Sequence, residues 1–212
     1  ASLQREGLNE EKATGLGKMP SVHVGGLTAL AISGYSQYVG ANKKQLIHLY
    51  SHEKQPSWLK RIPQAFDLEW HGLKSLWPDS FIPGAKFIKT HQWRPDVTPV
   101  YYSCPEKAIL EVLSDVPSKI SFEHADELMQ GLVSLSPGKL DELLSVCVSV
   151  KVKRLFFWFA KRQNYPWLSK LNQDKYDLGS GKRVLAQDGK LDTEYLITVP
   201  SYMANINDDS GE

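Results

Sequence analysis

The stretch from Asp177 to Lys190, DLGSGKRVLAQDGK, holds a Gly-Ser-Gly-Lys-Arg core of the kind that phosphate-cradling loops use. In such loops, backbone N–H groups surround the anion and a lysine reaches it. The spacing here does not complete that chemistry. Tyr176 stands where a Walker loop needs its first glycine, Arg183 stands where Ser or Thr would bind magnesium, and no helix signal comes after them. A dinucleotide fingerprint fails as well, because no glycine lies three residues beyond Gly181. The chain continues instead with RVLA, then QDGK, then LDTEYLITVP. Asp188-Gly189 between two strand-like runs predicts a β-hairpin, since both central residues of its turn must tolerate positive φ.

Other constellations are less complete. His48 and His52 are spaced i, i+4, but Leu49 stands after the first, where a metalloprotease helix needs Glu, and the context LIHLYS reads as a strand. Strand geometry puts such rings on one side about 13 Å apart, too far for a shared ion. Asp67 with Glu69, or Asp96, would be the acids of a metal-dependent nuclease or phosphoryl-transfer enzyme, yet neither acid is followed by Glu-x-Lys. Cys104 has no identifiable base partner and reads, with Cys147, as a small buried hydrophobe. No catalytic residue, cofactor site or metal site is therefore expected.

The chemistry that does stand out is basic and aromatic. Lys151, Lys153, Arg154, Lys161 and Arg162 accompany Phe156, Phe157, Trp158 and Phe159 between Ser149 and Asn164, without an acid among them. Cations beside aromatic faces can hold a nucleic-acid strand, a phosphate-rich ligand or an acidic partner. The competing reading makes the aromatics a core face and the cations its solvated edge.

Strands and helices to carry these groups are legible along the chain. SVHV before Gly25-Gly26 is a strand and turn; TALAISGYSQYV puts Leu30, Ala31, Gly34, Tyr35 and Tyr38 on one helical face; QLIHLY, AKFIKT and VYYS are further strands. Between Pro56 and Pro99, proline, glycine and the spread of Trp58, Trp70, Trp77 and Trp93 predict strands joined by long loops. The second half is helical. One helix starts at Ser103 or Cys104, with Pro105 and Glu106 in its first turn, and stops near Pro117; Ser121 caps a second, Ser136-Pro137 announces a third, and the strand-like alternation SVSVKVKR puts a break near Ser149 before a fourth, KRLFFWFAKRQ, that Pro166 ends. The fold class expected is α+β: a mixed sheet with packed helices, a helical second half and a C-terminal hairpin. The expected domain runs over 21–202, with 1–20 a remnant or linker and 203–212 a polar tail.

Composition narrows the partners. With 25 Lys plus Arg against 24 Asp plus Glu, the net charge of +1 gives no global attraction to nucleic acid or membrane. Any such surface must be local. No apolar run approaches the roughly 20 residues of a membrane span, and two cysteines make no disulfide framework, which points to the cytoplasm.

The stretches VHVGGLTALAISGYSQYV, LIHLYSHEKQPSWL, SCPEKAILEVLSDVP and SVKVKRLFFWFAKRQNYPWLSKLNQDKYDLGSGKRVLAQDGKLDTEYLITVP together resemble the C-terminal region of AbiEi-type antitoxins from bacterial type IV toxin-antitoxin (abortive infection, phage defence) systems. The resemblance runs from Val22 to Pro200, and the last stretch is its most specific part. It implies a non-catalytic transcriptional regulator that counteracts a nucleotidyltransferase-like toxin without a stable complex. Operator DNA would be bound only through an N-terminal winged helix, for which some twenty residues before VHVGG leave no room. The motif residues present are Gly25, Gly26, Lys151, Lys153, Arg154, Trp167, Asp177, Gly179, Gly181, Lys182, Arg183, Asp192 and Tyr195. Lys151, Lys153, Arg154, Lys182 and Arg183 form the candidate effector surface. On that reading, alanine at Lys151, Lys153 and Arg154 removes protection and spares the fold.

Overall fold

A computed structural model describes residues 21–35, 46–61, 66–81, 83–92 and 94–204. The expected linker over 1–20, Tyr38, Trp93 and the tail beyond Ala204 lie outside the described residues. The short β-rich runs of the first half become β1 (Val22–Val24), β2 (Leu46–Ser51), β3 (Asp67–Gly72), β4 (Ile88–His91) and β5 (Val100–Ser103). They form one mixed sheet in the order β3-β2-β1-β5-β4. β1 pairs antiparallel with β2 and parallel with β5, β2 and β3 are parallel, and β4 and β5 are antiparallel.

Five helices cover the rest of the core among the described residues: α1 (Gly26–Ile32), α2 (Pro105–Ser114), α3 (Phe122–Gly131), α4 (Pro137–Val146) and α5 (Val150–Gln163). Their starts obey local chemistry. The hydroxyls of Ser121, Ser136 and Ser149 accept from the backbone N–H three residues on, satisfying donors that a helix leaves orphaned. Cys104 precedes α2, with Pro105 in the first turn. α5 ends at Asn164, which is left-handed at φ 51°. The first helix is shorter than TALAISGYSQYV suggests, because Gly34 turns left-handed at φ 83° and ends it. The fold is α+β, with α2 as the hub: it packs on α1, α3, α4, α5 and β5.

The C-terminal hairpin is present, but not at the turn the sequence suggests. β6 (Lys190–Asp192) pairs with β7 (Ile197–Val199), and the chain reverses through Thr193–Leu196. Asp188-Gly189 does turn, with Asp188 at φ 57°, yet it joins RVLA to β6 without pairing them. RVLA lies along the other side of β7: Arg183 makes a single parallel bridge to Ile197, and Leu185 and Ala186 donate to Thr198 Oγ1. Two local contacts explain the shift. Asp192 Oδ1 accepts from Tyr195 N at 2.8 Å and closes the tighter turn, while the Arg154 guanidinium draws Gly181 and Leu196 together. Met203, at the start of the expected tail, is buried in the core, and Arg162 Nη1 donates to its carbonyl at 2.6 Å.

Candidate functional site

The alternating run SVSVKVKR is the start of a helix, because Ser149 caps it and the apolar side chains beyond it all find the core. Phe156, Phe157 and Phe159 are fully buried and Trp158 nearly so. Each such burial stabilises by about 1.5–3 kcal/mol, so the aromatics are committed to packing and are not available to stack on a ligand.

The five candidate cations divide into two groups. Arg154 is 1% exposed. Its Nε donates to Leu178 O at 2.5 Å, and Nη1 donates to Gly181 O at 2.6 Å and Leu196 O at 3.2 Å. The glycine-rich loop therefore wraps a guanidinium. Gly179 sits at φ 63° directly over it, where a Cβ would lie 3.3 Å from Val150 and 3.5 Å from Arg154 Nη2. Asp177 Oδ1 accepts from Gly179 N at 2.8 Å and sets the turn. Lys151 Nζ donates to Ser114 O at 2.7 Å and Val116 O at 2.8 Å, a cation at the negative end of α2. Burial, with Arg183 nearby, lowers the basicity of this ammonium. Lys153 is buried, close enough to Cys147 to act on its thiol. Lys182 and Arg183 are exposed. The fold thus gathers Lys151, Arg154 and Arg183 around one loop, but only Lys182 and Arg183 face solvent.

The other motif residues are structural in the same neighbourhood. Trp167 Nε1 donates to Leu132 O at 3.3 Å and stacks on Phe156, and Tyr195 lies parallel to Phe157 with its hydroxyl donating to Gln173.

A second polar group, which no motif suggested, lies between α2 and the sheet. Strand register sets His23, Tyr50 and His71 side by side on β1, β2 and β3. Lys107, Glu111 and Asp115, spaced four apart along and just past α2, face them. Lys107 and Glu111 are completely buried and ion-paired. Glu111 also accepts from Ser103 Oγ at 3.0 Å and Gly26 N at 2.9 Å, and Lys107 Nζ lies 2.8 Å from His23 Nε2. Burial and Lys107 lower the basicity of His23, so its ring is neutral and accepts from the lysine. Burial pushes the Glu111 carboxyl up, but the buried Lys107 ammonium beside it outweighs that and holds it down to about 2. This pair stabilises a closed interior and has no access to substrate. It also explains the two glycines: a Cβ at Gly25 would lie 2.5 Å from Glu111 Oε2, and one at Gly26, at φ 51°, 2.6 Å from Tyr50 Oη. The signal in the sequence was the four-residue spacing of charges on an otherwise apolar helix, opposite histidines on three strands.

The residues weighed for catalysis separate. Asp67 and Glu69 lie on β3, and Asp96 lies in the loop between β4 and β5, so sheet order puts them at opposite edges. Asp96 is exposed beside Arg94. Burial, then the Glu106 carboxylate, pushes the Cys104 thiol up to about 12, which removes it as a nucleophile. His52 meets Asp79 at 3.2 Å and not His48. His48 instead converges with Glu69 and His71, and among the described residues these three are the side chains whose donor atoms could hold a metal ion.

A family profile described as "Transcriptional regulator, AbiEi antitoxin, Type IV TA system" matches residues 44–200. Among solved structures, the crystal structure of the RV2827C protein from Mycobacterium tuberculosis is similar in fold. Its TM-score is 0.52 at 12% sequence identity, over 90% of this chain and 66% of that one, so the chain spans just under two thirds of that protein's length. No curated protein matches. No helix among the described residues is long and apolar enough to cross a membrane.

Proposed function

Because this chain belongs to the family of AbiEi antitoxins, transcriptional regulators of type IV toxin-antitoxin systems, we propose that residues 21–202 are the antitoxin effector domain. In this reading the domain counters a nucleotidyltransferase-like toxin in the bacterial cytoplasm, without catalysis and without a stable complex. The family match over 44–200 carries the reading, since it takes in every element from β2 to β7. Operator binding and autorepression are assigned to an N-terminal winged helix and to none of the described residues.

The effector surface is the outer face of the loop around Arg154. Lys182 and Arg183 supply the exposed charge, while Arg154 holds the loop and Lys151 the end of α2 beneath it, and Lys153 is buried behind them. What supports this division is the exposure of the first pair and the carbonyl partners of Lys151 and Arg154. Arg183 close to Arg154 and Lys151 adds to the local positive potential.

The test is growth rescue. The 212-residue chain is expressed beside the toxin gene adjacent to its own, and survivors are counted. Rescue is expected, and it is lost in the double variant Lys182→Ala, Arg183→Ala. Failure of the folded wild-type chain to rescue overturns the assignment of antitoxin activity to this region. Rescue by the double variant overturns the assignment of the surface.

A further inference from the structure

We propose that His48, Glu69 and His71 bind one divalent transition-metal ion, best matched by zinc, and that Asp115 orients His71 from behind. The proposal is independent of the antitoxin reading. The three residues meet because β2 and β3 are parallel and in continuous register from Leu46↔Asp67 to Ser51↔Gly72, which sets His48 opposite Glu69 and Tyr50 opposite His71. Residues two apart share a strand face, so all four side chains project toward the same side.

The separations fit an ion. His48 Nδ1 is 3.0 Å from His71 Nε2 and 3.4 Å from Glu69 Oε2, and His71 Nε2 is 3.8 Å from Glu69 Oε2. Tetrahedral zinc with bonds of about 2.0–2.2 Å holds its ligand atoms about 3.3–3.6 Å apart, which these distances bracket. Two imidazoles and a carboxylate suit zinc and its neighbours better than magnesium or calcium, which favour oxygen-rich sets.

The surroundings supply what a ligand set needs. His71 Nδ1 faces Asp115 Oδ2 at 3.3 Å, so the ring carries its proton there and turns the Nε2 lone pair toward His48 and Glu69. A carboxylate behind a metal-binding histidine fixes tautomer and orientation in this way. Lys119 Nζ occupies the other carboxylate oxygen, Oε1, at 2.5 Å and leaves Oε2 for the ion. Tyr50, stacked on His71 at 4.5 Å, closes the inner wall, while Glu69 is 26% exposed and Lys119 half-exposed, giving the ion an entry and an open coordination position. Without the ion, one proton on His48 Nδ1 donated to His71 Nε2 satisfies the pair; binding shifts that proton to His48 Nε2 through solvent exchange and frees the Nδ1 lone pair, so the fold does not depend on the ion.

The experiment titrates EDTA-stripped 212-residue chain with zinc chloride by calorimetry, with magnesium chloride as control and cobalt as a spectroscopic probe. One zinc per chain is expected, with visible cobalt absorption and no effect of magnesium. Glu69→Gln and His71→Gln should weaken zinc by about 100-fold or more and Asp115→Asn by about 10–100-fold, while His52→Gln changes nothing. Absence of saturable binding to the wild-type chain overturns the proposal. So does wild-type affinity in Glu69→Gln, which keeps the test decisive even if His71→Gln fails to fold, because Glu69 is partly exposed.

Discussion

Arg154 and Lys182 carry the same charge in the same corner of the molecule and have opposite duties. Arg154 saturates three carbonyl oxygens from two separate loops, and its rigid fork of donors is what matches them. Removing it takes the donor from the carbonyls of Leu178 and Gly181, leaves Leu196 O to Arg183 N alone and empties a fully buried side-chain site beneath the loop. Arg154→Ala is therefore expected to destabilise by about 3 kcal/mol or more, and Arg154→Lys to recover little of it, as read from urea unfolding. Lys182→Ala with Arg183→Ala should shift stability by no more than about 0.5 kcal/mol and still abolish growth rescue. The sequence led to the expectation that alanine at Lys151, Lys153 and Arg154 spares the fold; the carbonyl partners of Lys151 and Arg154 predict instead that it does not. Composition shows that a cation is present, and only the packing shows what it donates to.

Helix α2 is the element on which the sheet and the other helices agree. Its buried Lys107–Glu111 pair reaches His23 on β1, Ser103 at the end of β5 and the Gly25-Gly26 turn. Breaking one member of a buried pair leaves an uncompensated charge, so Glu111→Gln is expected to cost about 3–5 kcal/mol. Lys107→Met added to it should cost less than the sum of the two single changes, measured as a double-mutant cycle. The same group sets an acid limit. Glu111 is held down from 4.5 to about 2 in the fold, so its contribution is complete above pH 4.5 and drains as pH falls toward 2. His23, lowered from 6.5, gives the same sign earlier: the unfolded chain takes up the proton first, and stability begins to fall below about pH 6.5. Melting temperatures measured from about pH 7.5 to about pH 3 should decline in these two stages, and His23→Gln should shrink the upper one, to which His48 and His71, lowered in the same direction, also contribute. A flat profile over roughly pH 5–7 in the wild-type chain would refute the role given to His23.

One apolar cluster runs from Leu27 of α1 through α2 and α5 to Met203, so the described chain is expected to unfold in a single cooperative transition. The position of Met203 bears on where the folded unit ends. A chain stopped at Tyr202 loses a buried side chain and the carbonyl that Arg162 holds, and should be less stable by about 2–4 kcal/mol with rescue weakened at elevated temperature. If the shortened chain melts with the full-length one, the contact at Met203 contributes nothing and the boundary belongs at Tyr202.

The features legible without the fold were local ones. Ser121 and Ser136 announced their helices because a cap depends on a hydroxyl and an N–H three residues away, whereas the alternation of SVSVKVKR hid the cap at Ser149; VHV, LIHLY and VYYS read as strands because their residue types favour a pleated, half-buried surface. The buried cysteines were legible for the same reason. Packing alone settled which of five cations meet solvent, which lane RVLA occupies beside β7, and that His48 belongs with His71 and not with His52. Each of these is a choice among pairings distant in sequence, set by strand order, register and the competition of buried carbonyls for the few donors in reach. No window of neighbouring residues contains both partners.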